Sequence, residues 1–126
     1  MLDDRTAKRL AQLCSVRVER GLDTVMIHLQ GEFDLSCERP FLEELGSVLD
    51  EQTTALVLDL RALKFIDSTG LGMLVALDAS ARDDGYDFTV LCGEGGVRRV
   101  LRETGLDGVL PLVGPSGRVP HSDAPI

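Results

Sequence analysis

The sequence predicts an α/β fold in which a single mixed β-sheet of four to five strands has three to four α-helices packed on it. Strand-like and helix-like segments follow one another in the order β-β-α-β-α-β-α, with a last short strand, which is typical of parallel strands joined by helical crossovers. The 126 residues suit one domain. The aliphatic run "ALVLDL" at 55–60 predicts a central strand covered on both sides.

A β-hairpin is predicted at the start of this order. Residues 15–20 and 24–30 alternate apolar with polar side chains on either side of the turn residues "GLD". His28 falls on the polar phase of the second strand, so we expect it to face solvent. The inward phase of that strand contains Val25, Ile27 and Leu29.

The segment "GEFDLSCERP" predicts a loop that leads into a helix over about residues 38–50. Apolar residues recur there at helical spacing and form one stripe that is suited to packing on a sheet. The stripe contains Phe41, Leu42, Leu45, Val48 and Leu49.

After the central strand, the pattern predicts a helix over 69–83, a strand over 86–92, a helix in "VRRVLRETGL" and a short strand within 108–113. Gly105 is placed to end the third helix in a left-handed conformation. The apolar face of that helix contains Val97, Val100 and Leu101.

The organisation predicted along the chain has three parts. Residues 1–14 are a lead-in, for which a short helix and a loose segment are both open. Residues 15–113 form the folded domain, and the Pro-, Gly- and Ser-rich residues 114–126 are expected to be a mobile tail.

Charge and composition disfavour several classes of function. The formal net charge of −8 and a pI near 4.6 argue against direct nucleic-acid binding. No apolar run is long enough for a membrane span, and the start lacks the apolar centre of a signal peptide, so we expect a cytoplasmic protein without membrane insertion. Three cysteines, at positions 14, 37 and 92, lack zinc-site spacing and are expected to be small apolar residues in a reducing compartment.

Enzyme motifs fail at the segment "IDSTGLG", which follows the central strand. The order Asp67-Ser68-Thr69-Gly70 does not match the contiguous Asp-Thr/Ser-Gly of aspartic proteases, and it does not provide the G-x-S-x-G of a nucleophile elbow. The glycine-rich "GEGGVR" at 93–98 matches no phosphate-binding motif. We therefore expect no catalytic residues, no metal site and no cofactor.

Ser68 can be interpreted as a helix N-cap or as a phosphorylation site on a docking face. A serine directly before a helix is most often its N-cap, yet a cap needs neither Gly70 nor Gly72. On a helical wheel Gly70 lies on the inward stripe, whereas a second stripe presents a small docking face. A phosphate on Ser68 would lie at a helix N-terminus and would add negative charge beside Asp67. The docking face contains Ser68, Leu71, Val75, Asp78 and Arg82.

The segment "VLDLRALKFIDSTGLGMLV" resembles the signature of STAS domains, specifically the single-domain anti-sigma factor antagonists (anti-anti-sigma factors) of the sporulation and general-stress response type. "GEFDLS" resembles the loop of that family before its first long helix, and "GVRRVLRETGLDGVLPL" resembles its late helix and following strand. The resemblance covers roughly residues 15–113 and implies the STAS fold.

The resemblance also implies a function in transcription regulation by partner switching. By this resemblance, the unphosphorylated protein is expected to capture an anti-sigma factor that is also a serine kinase, so that the sigma factor is released. The kinase phosphorylates the loop serine, here Ser68, and a serine phosphatase restores it. Asp67 and Thr69 flank that acceptor, Gly70 follows in the same loop, and Asp34 lies in the neighbouring loop; these four residues are expected to bind the partner together with the docking face. Because Thr69 replaces a commonly found serine, the choice of acceptor hydroxyl stays open. The oligomeric state and weak nucleotide binding stay open as well.

Two alternatives remain beside the phosphorylated antagonist. One is a constitutive STAS scaffold subunit of a stress-signalling or lipid-transport complex, and the retained Ser68 argues against it. The other is an enzyme, which would need a pocket with convergent polar groups.

Overall fold

The computed structural model describes residues 14–114. They form a five-stranded sheet in the order β1-β2-β3-β4-β5, with β1 antiparallel to β2 and all other neighbours parallel. The predicted mixed sheet and its central third strand are confirmed. The elements are β1 (Cys14–Arg20), β2 (Thr24–Phe33), α1 (Leu35–Val48), β3 (Ala55–Ile66), α2 (Ser68–Asp84), β4 (Asp87–Leu91), α3 (Gly96–Glu103), a 3-10 turn (Leu106–Gly108) and β5 (Leu112–Val113).

All three helices cover the same face of the sheet. Each parallel step from β2 to β5 passes through one helix, and right-handed crossovers in a steadily advancing strand order place successive helices on one side. One buried cluster accordingly joins strand and helix side chains. It includes Ile27, Leu29, Leu56, Leu58, Phe41, Leu45, Leu74, Leu77, Val97 and Leu101.

The predicted loop at residues 31–40 was wrong in its extent. β2 continues through Phe33, because two register shifts against β3 accommodate Gly31, whose φ is 97°. α1 then begins at Leu35, three residues earlier than predicted, since Asp34 caps it. β3 likewise extends from the apolar run at 55–60 to Ile66. Both strands therefore end beside the start of α2, where Ser68 lies.

The apolar stripe predicted for α1 is mostly confirmed. Phe41, Leu45 and Val48 are buried, whereas Leu42 is 52% exposed. The predicted end of α3 is confirmed, since Gly105 has a left-handed φ of 79°. The leading residues 1–13 and the residues from 115 onward lie outside the described part of the chain, as do the predictions made for them.

His28 does not face open solvent as predicted. Its side chain is 17% exposed, because its Nδ1 donates a hydrogen bond to Asp59 Oδ2 at 2.7 Å and its Nε2 lies 3.2 Å from Glu19 Oε2. Burial by itself raises the pKa of Asp59, but hydrogen bonds from Arg61 and His28 outweigh it and lower that pKa from 3.8 to about 2. These side chains form a charged network on the sheet face that the helices leave uncovered.

The cysteine prediction was wrong for two of the three residues. Cys14 and Cys37 form a disulfide across a Cα–Cα distance of 5.6 Å, because β2 runs antiparallel to β1 and brings the chain back beside Cys14 before α1 begins. Cys92 is a free, buried thiol, as expected of a small apolar residue. Within residues 14–114, no helix is long and apolar enough to cross a membrane.

α2 lies unusually close to the end of β2 at Gly70. A Cβ atom on this residue would lie 2.5 Å from the carbonyl oxygen of Phe33 and 2.7 Å from Cγ1 of Ile66. At Gly72, by contrast, a Cβ atom would meet no heavy atom within 4 Å. Packing therefore requires glycine at position 70 and leaves position 72 unrestricted.

We predict that Gly70→Ala lowers the free energy of unfolding by roughly 1–3 kcal/mol, since an overpacked backbone contact must be relieved by shifting the helix. The matched control Gly72→Ala should raise it by roughly 0.5–1 kcal/mol through better helix propensity. Urea denaturation of both variants measures the difference. Equal effects of the two substitutions would contradict the close packing of Gly70.

Candidate functional site

The site lies where the parallel strands β2 and β3 end side by side. Phe33 pairs with Ile66 in the ladder, and the next residue of each strand is an aspartate that caps a helix. The backbone N–H of Asp67 donates to the carbonyl oxygen of Phe33 at 3.3 Å, which ties the two caps together. Two helix N-termini, each with partial positive charge, therefore open at the same sheet edge.

Asp67 is the N-cap of α2. Its Oδ1 accepts a hydrogen bond from the backbone N–H of Gly70 at 3.0 Å, and its carbonyl accepts one from Leu71 N–H at 2.9 Å. Asp67 itself has the extended backbone of a cap, with φ −109° and ψ −172°. The interpretation of Ser68 as the cap was therefore wrong.

Ser68 is the first residue of α2 and is exposed. Among the described residues, its hydroxyl makes no hydrogen bond, because the neighbouring carboxylate already performs the capping. The next hydroxyl, on Thr69, is only partly exposed. The helix start thus presents the Ser68 hydroxyl to an approaching partner and holds the Thr69 hydroxyl further in.

Asp34 is the equivalent cap of α1. Its Oδ1 accepts hydrogen bonds from the backbone N–H of Ser36 at 3.0 Å and from the Ser36 hydroxyl at 2.6 Å. The residue that follows, Leu35, is 69% exposed. The loop of Asp34 therefore adds an apolar side chain as well as a carboxylate to the sheet edge beside Ser68.

The docking face predicted on α2 is partly rearranged in the structure. Ser68, Val75 and Arg82 are exposed, with Val75 at 42%, and Leu71 is partly buried. Asp78 was expected at the exposed rim but is 8% exposed and forms an ion pair with Arg82 one turn later. The face is therefore narrower and more apolar than the helical wheel predicted.

Gly70 was also predicted to contact a partner, yet it is buried against Phe33. Its contribution is to hold the start of α2 against β2. Gly72 is exposed and lies one helical turn after Ser68, so the surface beside the hydroxyl carries no side chain at that position.

Sequence reasoning missed one exposed aromatic side chain near the site. Phe65 is 46% exposed and lies two residues before the Asp67 cap. It pairs in register with Glu32. The apolar run at 55–60 predicts the centre of β3, but no side-chain pattern in the sequence indicates which way Phe65 faces near the end of that strand.

A cavity of about 340 Å³ is lined by residues of α1 and α2, away from the two caps. Its walls are mostly aliphatic and aromatic, and they include no His, Asp, Glu, Lys or Arg side chain. Within residues 14–114, no group of three or more His, Cys, Asp and Glu side chains is arranged to hold a metal ion. This cavity does not provide the convergent polar groups of an active site. Its lining consists of Phe41, Leu42, Leu45, Gly46, Leu49, Met73, Ala76, Leu77, Ser80 and Tyr86.

Comparison with known proteins identifies the family to which this sheet, with its two capped helix starts and exposed serine, belongs. Residues 16–114 match the family described as "Mlab, STAS domain". The chain therefore belongs to the STAS-domain family, and its relatives place it among the anti-sigma factor antagonists.

Two mycobacterial proteins illustrate that placement. The anti-sigma-F factor antagonist RsfB of Mycobacterium tuberculosis is 33% identical over 87 residues, which cover 69% of this chain and 70% of RsfB. The crystal structure of an anti-sigma factor antagonist from Mycobacterium paratuberculosis superposes with a TM-score of 0.70 at 29% identity, over 82% of this chain and 86% of that one.

The anti-sigma factor antagonist SpoIIAA shares the fold at 20% identity. Its unphosphorylated form matches with a TM-score of 0.68 over 81% of this chain and 89% of SpoIIAA. The phosphorylated form of the Bacillus protein matches with a TM-score of 0.62 over 81% of this chain and 92% of SpoIIAA.

Proposed function

We propose that this antagonist captures an anti-sigma factor with serine kinase activity while Ser68 is unphosphorylated, and releases it once Ser68 carries a phosphate. The observation that carries the proposal is an exposed serine at the start of α2 whose hydroxyl is not needed for the cap. In the unphosphorylated state the captured anti-sigma factor cannot hold its sigma factor, so transcription by that sigma factor proceeds.

The geometry around Ser68 suits phosphoryl transfer from ATP bound to the partner. The γ-phosphoryl group would pass to Ser68 Oγ, with ADP leaving and the hydroxyl proton released. Because Gly72 leaves open space one turn away, the kinase backbone can come close to the hydroxyl. Thr69 is the less accessible acceptor, since it is only partly exposed.

The chemical environment supports a change of affinity with little change of fold. A phosphate on Ser68 adds about −1.5 to −2 charges at a helix N-terminus, where free N–H groups and the helix dipole favour an anion. The Asp67 carboxylate opposes it, so the stability of the domain should change little. A partner that buries the same surface must desolvate the new charge, and each ~1.4 kcal/mol of that cost weakens binding tenfold.

The partner surface in this proposal centres on the exposed start of α2. Leu71 and Val75 follow Ser68 at spacings of three and seven residues and supply its apolar part, and Arg82 with Asp78 closes its far end. Asp34 and Leu35 border it from α1. A small apolar centre with a charged rim is typical of a reversible protein interface.

The remaining parts of the cycle follow from this switch. A serine phosphatase must remove the phosphate to return the antagonist to its capturing form. The antagonist itself needs no catalytic activity, and the proposal places the cycle in the cytoplasm with the sigma factor. A constitutive scaffold subunit is the competing function. It would bind its partner at all times, with no phosphorylation that releases the partner.

We predict a single phosphate on the full chain after incubation with ATP and an anti-sigma kinase from the same cell, measured by intact-mass spectrometry. Ser68→Ala should abolish this phosphate, and the matched control Thr69→Ala should retain it because its acceptor is intact. Stable binding to a kinase without any phosphate would contradict the switch and favour the scaffold. If Ser68→Ala still gained the phosphate and Thr69→Ala did not, the acceptor would be Thr69 and the assignment of Ser68 would be wrong.

We further predict that Val75→Glu weakens capture of the anti-sigma factor at least tenfold in a calorimetric titration, because it places a charge at the apolar centre of the face. The matched control is Leu22→Glu, since Leu22 is 98% exposed in the turn before β2, at the opposite end of the sheet from Ser68. That variant should bind as the wild type does. Equal loss in both variants, or none in Val75→Glu, would refute the assignment of this face.

A further inference from the structure

The disulfide between Cys14 and Cys37 joins two elements that secondary structure alone does not connect. Cys14 is the first residue of β1, and Cys37 lies in the first turn of α1. Their Cα–Cα distance of 5.6 Å is within the range that a disulfide spans. Cys37 is fully buried and Cys14 is partly exposed, so a reagent in solution reaches the bond from the Cys14 side.

The disulfide ties an edge strand of the sheet covalently to a helix. The edge strand is β1, which pairs only with β2 among the described strands. Its start pairs Cys14 with Gly31, at the place where β2 shifts its register against β3. The other end of β1 contacts the loop after α1 through an exposed ion pair of Arg20 with Asp50, and such pairs contribute little to stability.

We propose that Cys14 and Cys37 form a reversible redox modification site. Its disulfide keeps the start of β1 and the first turn of α1 conformationally ordered, and its reduction makes both segments less ordered. A thiol reductant attacks Cys14 Sγ, the S–S bond breaks, and the electron pair leaves with Cys37 as a thiolate, which takes a proton. A second reductant thiol attacks the mixed disulfide, which frees Cys14 and yields the oxidised reductant. A low-molecular-weight disulfide runs the same two exchanges in reverse.

The disulfide is connected to the candidate site through the first turn of α1. The N–H of Cys37 donates to the carbonyl oxygen of Asp34 at 2.9 Å, so the disulfide and the Asp34 cap fix the same helical turn. Exposed Leu35 lies in that turn. Reduction therefore loosens the part of the sheet edge that α1 contributes, while α2 keeps its own cap and its contact with Phe33.

The third cysteine supplies an internal control. Cys92 is buried in the core, and burial raises the pKa of its thiol, which leaves it little thiolate for exchange. It should remain a free thiol in both redox states. The difference between states is therefore expected at Cys14 and Cys37 alone.

The first test is thiol counting on the full chain after incubation with oxidised glutathione and its removal. After denaturation, alkylation and mass spectrometry, we expect one alkylated thiol, at Cys92, and three after prior treatment with dithiothreitol. A glutathione adduct retained at Cys14, a disulfide-linked dimer or three free thiols in the oxidised sample would each overturn the proposal.

The second test measures the consequence of the bond in the wild-type chain. Closing a loop with a sequence separation of 23 predicts a melting midpoint roughly 10 °C higher in the oxidised form. Hydrogen exchange at residues 14–17 and 35–38 should accelerate on reduction. Cys14→Ala should melt at the same temperature with and without dithiothreitol, whereas Cys92→Ala should keep the difference; no difference in the wild type would overturn the proposal.

Discussion

The close approach of α2 to the end of β2 is the constraint on which the candidate site depends. Only glycine fits at position 70, where a Cβ would lie 2.5 Å from the Phe33 carbonyl. That contact brings Gly70 N–H to the Asp67 carboxylate, which accepts its hydrogen bond at 3.0 Å. Because Asp67 caps the helix in this way, the hydroxyl of Ser68 is exposed and is not needed to cap α2.

The sheet topology extends this arrangement to a second helix. β2 and β3 are parallel neighbours, so Asp34 and Asp67 follow paired residues and cap α1 and α2 at one edge. The antagonist function proposed for this edge needs a surface that gains charge while the fold stays intact. A phosphate at an exposed first helical residue meets that need, since neither the cap nor the Gly70 contact has to break.

Much of the fold could be predicted from the sequence, because hydrophobic periodicity reports which face of each element is buried. The alternation of 24–30, the apolar run of 55–60 and the helix over 69–83 were all close to the observed elements. Features set by tertiary proximity could not be predicted. The Cys14–Cys37 bond and the His28–Asp59 hydrogen bond join positions that no local pattern relates, and the burial of Asp78 depends on how α2 packs in the domain. Within the site, the motif located the serine, but the identity of the cap required the geometry of Asp67.

The measurement that tests the central claim most directly is a comparison of the free energies of unfolding of Asp67→Ala and Ser68→Ala by urea denaturation. The account predicts a loss of about 1 kcal/mol for Asp67→Ala, which removes a helix cap, and a change within about 0.5 kcal/mol for Ser68→Ala, which removes an exposed hydroxyl. A loss confined to Ser68→Ala would show that the serine caps α2. In that case its hydroxyl would not be free for phosphorylation, and the account would be contradicted.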